Sequence, residues 1–263
     1  MKKKINVVPY DNNWPQIFEV FSKEIKDALK ENCIKIYHVG STSVPGLCSK
    51  PVIDIMCIVN DLKIAEKKLI QIGYKSKGEL NLPLRLFFSK KHPHDVHIHV
   101  VKENSDEIAW NLVFQNYLRK DKNARDMYAD VKLNLIKENP DGFNIIEGLF
   151  SEYTIKKGEI IRQIAKKAGF NGYRFMILTD RNEIETYKKF MNLEKVDFSN
   201  KNTFHLCLYK GIDIVAVACV NFDTNNSIAT MKSIKSTNSE NQKIMENKIN
   251  EWVTFHNLSL NKD

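Results

Sequence analysis

Ile34-Lys35-Ile36-Tyr37-His38-Val39-Gly40-Ser41-Thr42-Ser43-Val44-Pro45-Gly46-Leu47, followed by Lys50-Pro51-Val52-Ile53-Asp54-Ile55-Met56-Cys57-Ile58-Val59, is the stretch on which the fold turns. The β-branched and apolar residues of Ile34 to Val39 and of Pro51 to Val59 predict two strands, the second apolar enough to lie inside a sheet covered on both faces. The loop between them, Gly40 to Lys50, opens with small residues at a strand end. Backbone N–H groups and hydroxyls there can face an anion without side-chain obstruction. Asp54 interrupts the apolar strand, and a carboxylate in that setting requires a metal, a cation or hydrogen-bond donors.

Outward from this stretch, Asn13 is placed to cap a helix that has Pro15 in its first turn and carries Trp14, Ile17, Phe18, Phe21, Ile25, Ala28 and Leu29 on one face. Leu62, Ala65, Leu69 and Ile72 mark a second helix, ended by Gly73. Arg85 to Ser89 and His97 to Val101 read as an antiparallel hairpin across a polar turn, in which His92 and His94 are expected in solvent. Three further apolar stripes follow: Trp110, Val113, Phe114 and Tyr117; then Ala124, Tyr128, Val131 and Leu135; then Ile160, Ile161, Ile164, Ala165 and Ala168. The order predicts an α/β (α+β) domain over residues 1–169, closed by Gly169-Phe170-Asn171-Gly172. A second domain is expected over 173–263. It has a short helix around Ile184, Tyr187 and Met191, three antiparallel strands (Phe204 to Tyr209, Ile212 to Phe222, Ser227 to Ile234) and a helix carrying Met245, Ile249, Trp252 and His256.

Composition removes several classes of function. The longest apolar run, Val52 to Val59, is broken by Asp54 and far short of the ~18 residues of a membrane span. Lys2-Lys3-Lys4 is followed by no apolar leader, so a cytoplasmic protein is expected. The five cysteines are scattered without a C-x-x-C pair, which gives neither a disulfide framework nor a cysteine zinc site. Of the 40 basic residues only 6 are Arg, so the net charge of +8 reads as a solvated lysine-rich surface. Nucleic acid is not expected as partner; small acidic molecules are.

Spacing alone leaves Gly40, Ser41 and Asp54 open between two readings. In one, Ser41 caps a turn and Asp54 pairs with Lys50 or Arg85 for structural reasons. In the other, the outline is that of a nucleotidyltransferase site, where carboxylates hold Mg²⁺ against nucleotide phosphates. His97 and His99 alternate on a strand, so both rings share a face and can bind a metal or bracket a phosphate together. The bland reading makes one a hydrogen-bonded core residue and the other exposed.

The longer pattern is more specific. Val8-Pro9-Tyr10-Asp11 with Trp14-Pro15, His38 to Leu47, Lys50 to Ile55, Arg85 with Phe88 and Lys90, His97-Ile98-His99-Val100-Val101, and Tyr117-Leu118-Arg119 with Tyr128 and Lys132 together resemble the GrpB family over roughly residues 5–169. The resemblance implies a nucleotidyltransferase-like mixed sheet with helices, in a family that includes fusions to dephospho-CoA kinase. No G-x-x-x-x-G-K-[ST] loop occurs here, so kinase activity is not carried over. Met56 stands where working nucleotidyltransferases have a second acidic residue, and Gln115-Asn116 stand where an Arg-Asp pair is common in the family. The expectation is that Asp54, His97 and His99 converge as catalytic residues and as ligands of a divalent metal, Mg or Mn. Gly40, Ser41, Thr42, Lys50, Arg85 and Arg119 are then expected at a nucleotide or other phosphorylated small molecule.

The C-terminal segment resembles part of a GNAT-type acetyltransferase. Ser236 to Met245 contains no glycine for a pyrophosphate turn, and the helix that follows is expected to leave no room for a further strand. Three function classes result: an enzyme acting on a phosphorylated metabolite, a non-catalytic sensing or interaction module, and an acetyl-CoA-dependent acyltransferase, disfavoured by the missing turn. Pairing of two copies along an edge of the C-terminal sheet is compatible with all three.

Overall fold

A computed structural model describes residues 2–146, 150–178 and 181–262, and the chain separates into two compact units. The first comprises Met1–Leu80 and Arg85–Phe170, the second Asn81–Leu84 and Asn171–Asp263.

In chain order the first unit contains β1 (Lys2–Lys3), α1 (Trp14–Leu29), β2 (Cys33–Val39), β3 (Val52–Val59), α2 (Leu62–Gln71), β4 (Lys75–Ser76), β5 (Leu86–Lys90) and β6 (Asp95–Lys102). There follow α3 (Asp106–Lys120), α4 (Lys122–Glu138), β7 (Phe143–Ile146), β8 (Phe150–Ser151), α5 (Glu152–Lys156) and α6 (Gly158–Lys167). The main sheet runs β2-β3-β6-β5-β4, with β3 and β6 parallel and the other pairs antiparallel. The fold is therefore a mixed sheet with helices. Helix α1 buries Trp14, Phe21, Ile25 and Leu29. Asn13 occupies its N-cap position without a side-chain bond; the turn is held instead by Asp11, whose Oδ1 accepts the Asn13 N–H at 2.9 Å. Helices α2 and α4 are capped as their sequences dictate, by the Asp61 and Asp121 carboxylates, each 2.9 Å from the N–H three residues on.

Strand alternation divides the sheet's surfaces. Ile53, Ile55, Val96, Ile98 and Phe88 are buried on one face, against which α1 and α2 pack. The other face has an apolar half, where Val39, Met56, Ile58 and Val101 pack with Ile108 of α3, and a polar half carrying Asp54, His97 and His99. The loop after β2 is pinned beside that polar half. Its Val44 and Leu47, both fully buried, insert among Phe114, Leu118, Ala124, Tyr128, Ile160 and Ile164, an anchorage of about 1.5–3 kcal/mol per side chain.

The second unit contains β9 (Tyr173–Ile177), α7 (Arg181–Met191), β10 (Thr203–Lys210), β11 (Asp213–Asp223), β12 (Ile228–Ser236), α8 (Ser239–Phe255) and β13 (Ser259–Lys262). Its sheet has five strands in the order β13-β12-β11-β10-β9, rather than the three expected. Two short edge strands account for the difference. Tyr-Arg-Phe-Met-Ile of β9 begins directly after the glycine-containing link, and β13 has a single apolar residue, Leu260, packed on the core beside α8. The expectation that no strand follows the last helix is overturned, since β13 pairs parallel to β12 from Ile228↔Ser259 to Met231↔Lys262. Trp252, Met245 and Ile249 of α8 fill one side of the sheet, and Tyr187 of α7 packs with Cys207, Tyr209 and Val217 on the other. Among the described residues no helix is long and apolar enough to cross a membrane.

Candidate functional site

Asp54 and His97 are paired across the parallel β3–β6 ladder, and Met56 and His99 form the next pair on that face. The register alone therefore brings one carboxylate against two imidazoles. Asp54 Oδ1 lies 3.3 Å from His97 Nδ1 and 3.7 Å from His99 Nε2. All three side chains are half-buried, 29%, 33% and 23% exposed, so a ligand can reach them. Burial works to raise the Asp54 pKa, but the hydrogen bonds from both histidines and their charge outweigh it and hold the carboxyl well below the usual carboxylate range. The reading in which Asp54 pairs with Lys50 or Arg85 is not what forms, nor is one histidine in the core and the other in solvent.

Arg85, 5% exposed, approaches from the start of β5. Its Nη1 lies 2.9 Å from His99 Nδ1, and its guanidinium sits 5.3 Å from the Phe87 ring centre. Phe87 in turn contacts both histidine rings, at 5.0 and 5.2 Å between centres. A guanidinium only donates, so His99 Nδ1 accepts and the proton of this neutral imidazole is on Nε2, facing Asp54. Burial, ahead of Arg85 and His97, lowers the His99 pKa and favours that neutral form, against the pull of Asp54.

This donor arrangement answers whether Mg or Mn fits. A ring that gives its Nδ1 lone pair to Arg85 and carries its proton on Nε2 has no lone pair left for a metal. The set then shrinks to Asp54, His97 and Asp95, whose Oδ1 lies 3.9 Å from His97 Nε2, with Met56 in the place of a second carboxylate on the strand, too few for cations that take about six mainly oxygen ligands. Among the described residues no group of three or more His, Cys, Asp or Glu is disposed to hold a metal ion. The residues present do not fit the expected metal.

Around Gly40 the expected phosphate residues separate into two groups. Thr42 is fully buried; it donates to the Val52 carbonyl at 3.0 Å and accepts from His38 Nε2 at 3.1 Å, so its hydroxyl is used within the fold. His38 stacks on Phe18 at 4.8 Å, and its burial pushes the imidazole pKa down to about 4. Arg119 likewise turns inward. Its Nε and Nη2 donate to the Ser43 carbonyl at 3.1 and 2.7 Å, which makes it a brace of the loop instead of a ligand cation. Gln115 is buried and its Oε1 accepts from Ser43 Oγ at 3.0 Å.

Gly40, Ser41 and Lys50 remain, each half-buried, and two further lysines stand near them. Lys132, 1% exposed, donates to the Cys48 carbonyl and lies 3.4 Å from Ser41 Oγ, with its amine 4.5 Å from the Tyr128 ring centre. Lys50 and Lys157 both place their amines 4.7 Å from the centre of the buried Tyr153 ring. Burial is the main cause that lowers all three, Lys132 to about 7 and Lys50 and Lys157 to about 8; repulsion from Lys157 adds to it at Lys50 and Lys132, and Asp54 partly opposes it at Lys50 and Lys157. None of the three takes part in an ion pair among the described residues. Lys132 had a signal in the sequence, since it continues the Ala124–Tyr128 spacing by four onto a buried face. Lys157 had none, because its position depends on how α5 meets α6.

The family model described as GrpB protein matches residues 4–167. A UPF0157 protein of Halalkalibacterium halodurans is 33% identical over 169 residues, covering 62% of this chain and 82% of its own length. UPF0157 protein YqkA of Bacillus subtilis is 30% identical over 149 residues, 54% of this chain and 43% of that relative, so the match spans less than half of its length. The crystal structure of conserved protein GrpB from Enterococcus faecalis superposes with a TM-score of 0.54 at 32% identity, covering 62% of this chain and 96% of that one.

Proposed function

The chain belongs to the GrpB family, and from that membership together with the cleft geometry we propose that its first unit binds the phosphoryl group of a nucleotide or another phosphorylated small metabolite. The observation that carries this reading is the meeting of three lysines, Lys50 and Lys157 at the Tyr153 ring and Lys132 beside Ser41 Oγ, none of them in an ion pair among the described residues. Buried or half-buried ammonium groups held close to one another are costly unless an anion joins them. Asp54, on the same side, keeps the cleft from being uniformly positive and favours a ligand that also brings a hydrogen-bond donor, such as a hydroxyl. Nucleotidyl transfer through two metals is not part of this reading, because the donor set does not supply it.

Acetyl transfer by the second unit finds no support in the start of α8. Asn238 caps that helix by accepting the Asn241 N–H at 2.9 Å, and the Asn241 side chain is taken up by Thr237 and Tyr173 at 2.8 and 3.0 Å. A pyrophosphate would have to displace these bonds.

Calorimetric titration of the full chain with pyrophosphate and with ATP, beside Lys157→Gln and Asp54→Asn, tests the proposal. Binding by the parent and a loss of about tenfold or more in Lys157→Gln are expected. Because that variant also removes a repelled cation, its unfolding midpoint is expected to hold or rise while affinity falls. No binding of either compound by the parent would overturn the reading.

A further inference from the structure

Asp95, two residues before His97 on the same sheet face, has an oxygen that nothing so far explains. Its Oδ1 is inaccessible and has no hydrogen-bond partner among the described residues, yet it lies 3.9 Å from His97 Nε2. The opposite ring atom, Nδ1, faces Asp54 Oδ1 at 3.3 Å. His97 thus stands between two carboxylates, while His99 lies 3.7 Å from the same Asp54 oxygen on one side and is hydrogen-bonded to Arg85 on the other.

We infer that this cluster is a metal-independent proton-transfer centre, with His97 Nε2 as the proton acceptor and Arg85 as the positioning residue that fixes the tautomer of His99. Arg85 occupies His99 Nδ1 and so turns the Nε2–H toward Asp54. Asp54 Oδ1 then faces both rings, 3.3 Å from His97 Nδ1 and 3.7 Å from His99 Nε2. With its Nδ1–H bound to Asp54, His97 presents the Nε2 lone pair. A water or ligand hydroxyl in the cleft gives its proton to that nitrogen, and the imidazolium formed has Asp54 on one side and the unsatisfied Asp95 oxygen on the other. Asp54 stays ionised and stabilises the charge. This goes beyond phosphoryl binding and stands on different atoms, Arg85, His99, Asp54, His97 and Asp95, instead of the lysines.

Long-range ¹H–¹⁵N correlation spectra of the ¹⁵N-labelled full chain report each histidine tautomer directly. The expected result is His99 as the Nε2–H tautomer and neutral His97 as the Nδ1–H tautomer, with neither signal selectively broadened by equimolar Mn²⁺. In Arg85→Gln, a folded spectrum is expected to show His99 redistributed between its tautomers. Should that variant fail to fold, the wild-type tautomers and the Mn²⁺ titration still decide. A His99 with its proton on Nδ1, or Mn²⁺ broadening of both histidines that disappears in Asp54→Asn, would overturn the inference, as would a folded Arg85→Gln with an unchanged tautomer. Failure of pyrophosphate to bind would sink only the lysine-based reading and leave these signals where they are.

Discussion

Asp54 Oδ2 lies where a side chain at position 40 would begin: a Cβ on Gly40 would stand 2.5 Å from that oxygen and 3.0 Å from the Asp54 Cβ. Gly40 also has φ +70° and ψ −172°, a backbone region essentially reserved for glycine. The two restrictions are independent, and both follow from bringing the turn's backbone directly against the carboxylate. Gly40→Ala is therefore expected to cost about 2–4 kcal/mol in urea unfolding and to weaken pyrophosphate binding. A double-mutant cycle separates the causes. The Gly40→Ala cost should shrink in an Asp54→Ala background, because the 2.5 Å clash with the carboxylate oxygen is gone while the close approach of the two Cβ atoms and the backbone strain remain. An equal cost in both backgrounds would show that Asp54 does not press on residue 40.

Arg119 gives a second prediction, since its structural role differs from the one its charge suggests. Two of its nitrogens converge on the Ser43 carbonyl, geometry that a fork can supply and a single ammonium cannot. Arg119→Lys should lose about 1.5–3 kcal/mol of stability, nearly as much as Arg119→Ala. If the residue instead supplied charge to the ligand, Arg119→Lys would keep most of the affinity that Arg119→Ala loses. Parallel unfolding curves and pyrophosphate titrations of the two variants tell these apart.

How far the sequence reveals the molecule can be judged from these same residues. Asp54, His97 and His99 were readable because a strand's period of two fixes which side chains share a face, and the parallel β3–β6 pairing then needs only register. The mixed sheet and its covering helices follow from apolar periodicity in the same way. Thr42 and Arg119 were misassigned because residue type gives no direction: a hydroxyl or guanidinium beside a loop can serve the ligand or the loop, and here Val52, His38 and Ser43 occupy them. The metal expectation depended on a lone pair of His99. Whether that pair is available is decided by Arg85, fourteen residues away in sequence, at a single hydrogen bond. Strands β9 and β13 escaped notice because short edge strands carry little alternation of their own and are stabilised by the neighbour they pair with.

Cys33 and Cys57 lie on adjacent strands, next to the register shift between Cys33 and Lys35. A hydrogen bond from the Cys57 thiol holds the half-exposed Cys33 below the usual thiol pKa, whereas burial pushes Cys219 above it. Cys33 should therefore be alkylated by iodoacetamide about fivefold or more ahead of Cys219 near neutral pH. Cys57→Ala should slow the Cys33 reaction. Peptide mass spectrometry over a time course reads both effects, and a Cys33 rate indifferent to Cys57 would refute the assignment.

The three site lysines make opposite predictions for stability and for binding. In the folded chain Lys132 is lowered to about 7 and Lys50 and Lys157 to about 8, all below the 10.5 of an unperturbed lysine. Between these values the unfolded chain binds more protons than the native one, so their contribution makes the native state more stable as pH rises through that window. It flattens below about pH 6, a unit under the lowest of the three, where all are charged in both states. An anion in the cleft stabilises the charged lysines and raises their pKa values, so binding takes up protons and must weaken over the same range. Sulfate is the appropriate probe, because its charge does not change there, whereas phosphates titrate themselves. Its affinity should fall about tenfold or more from about pH 7 to about pH 9. Titrations in buffers of different ionisation enthalpy should show proton uptake that grows as the pH rises from about 7, and Lys157→Gln should reduce it. The neighbouring titratable groups, Asp54, Asp95, Tyr128, Tyr153 and Cys48, are shared by both states. Sulfate affinity that is constant over this range, or binding without proton uptake, would show that the lysines do not form the anion site.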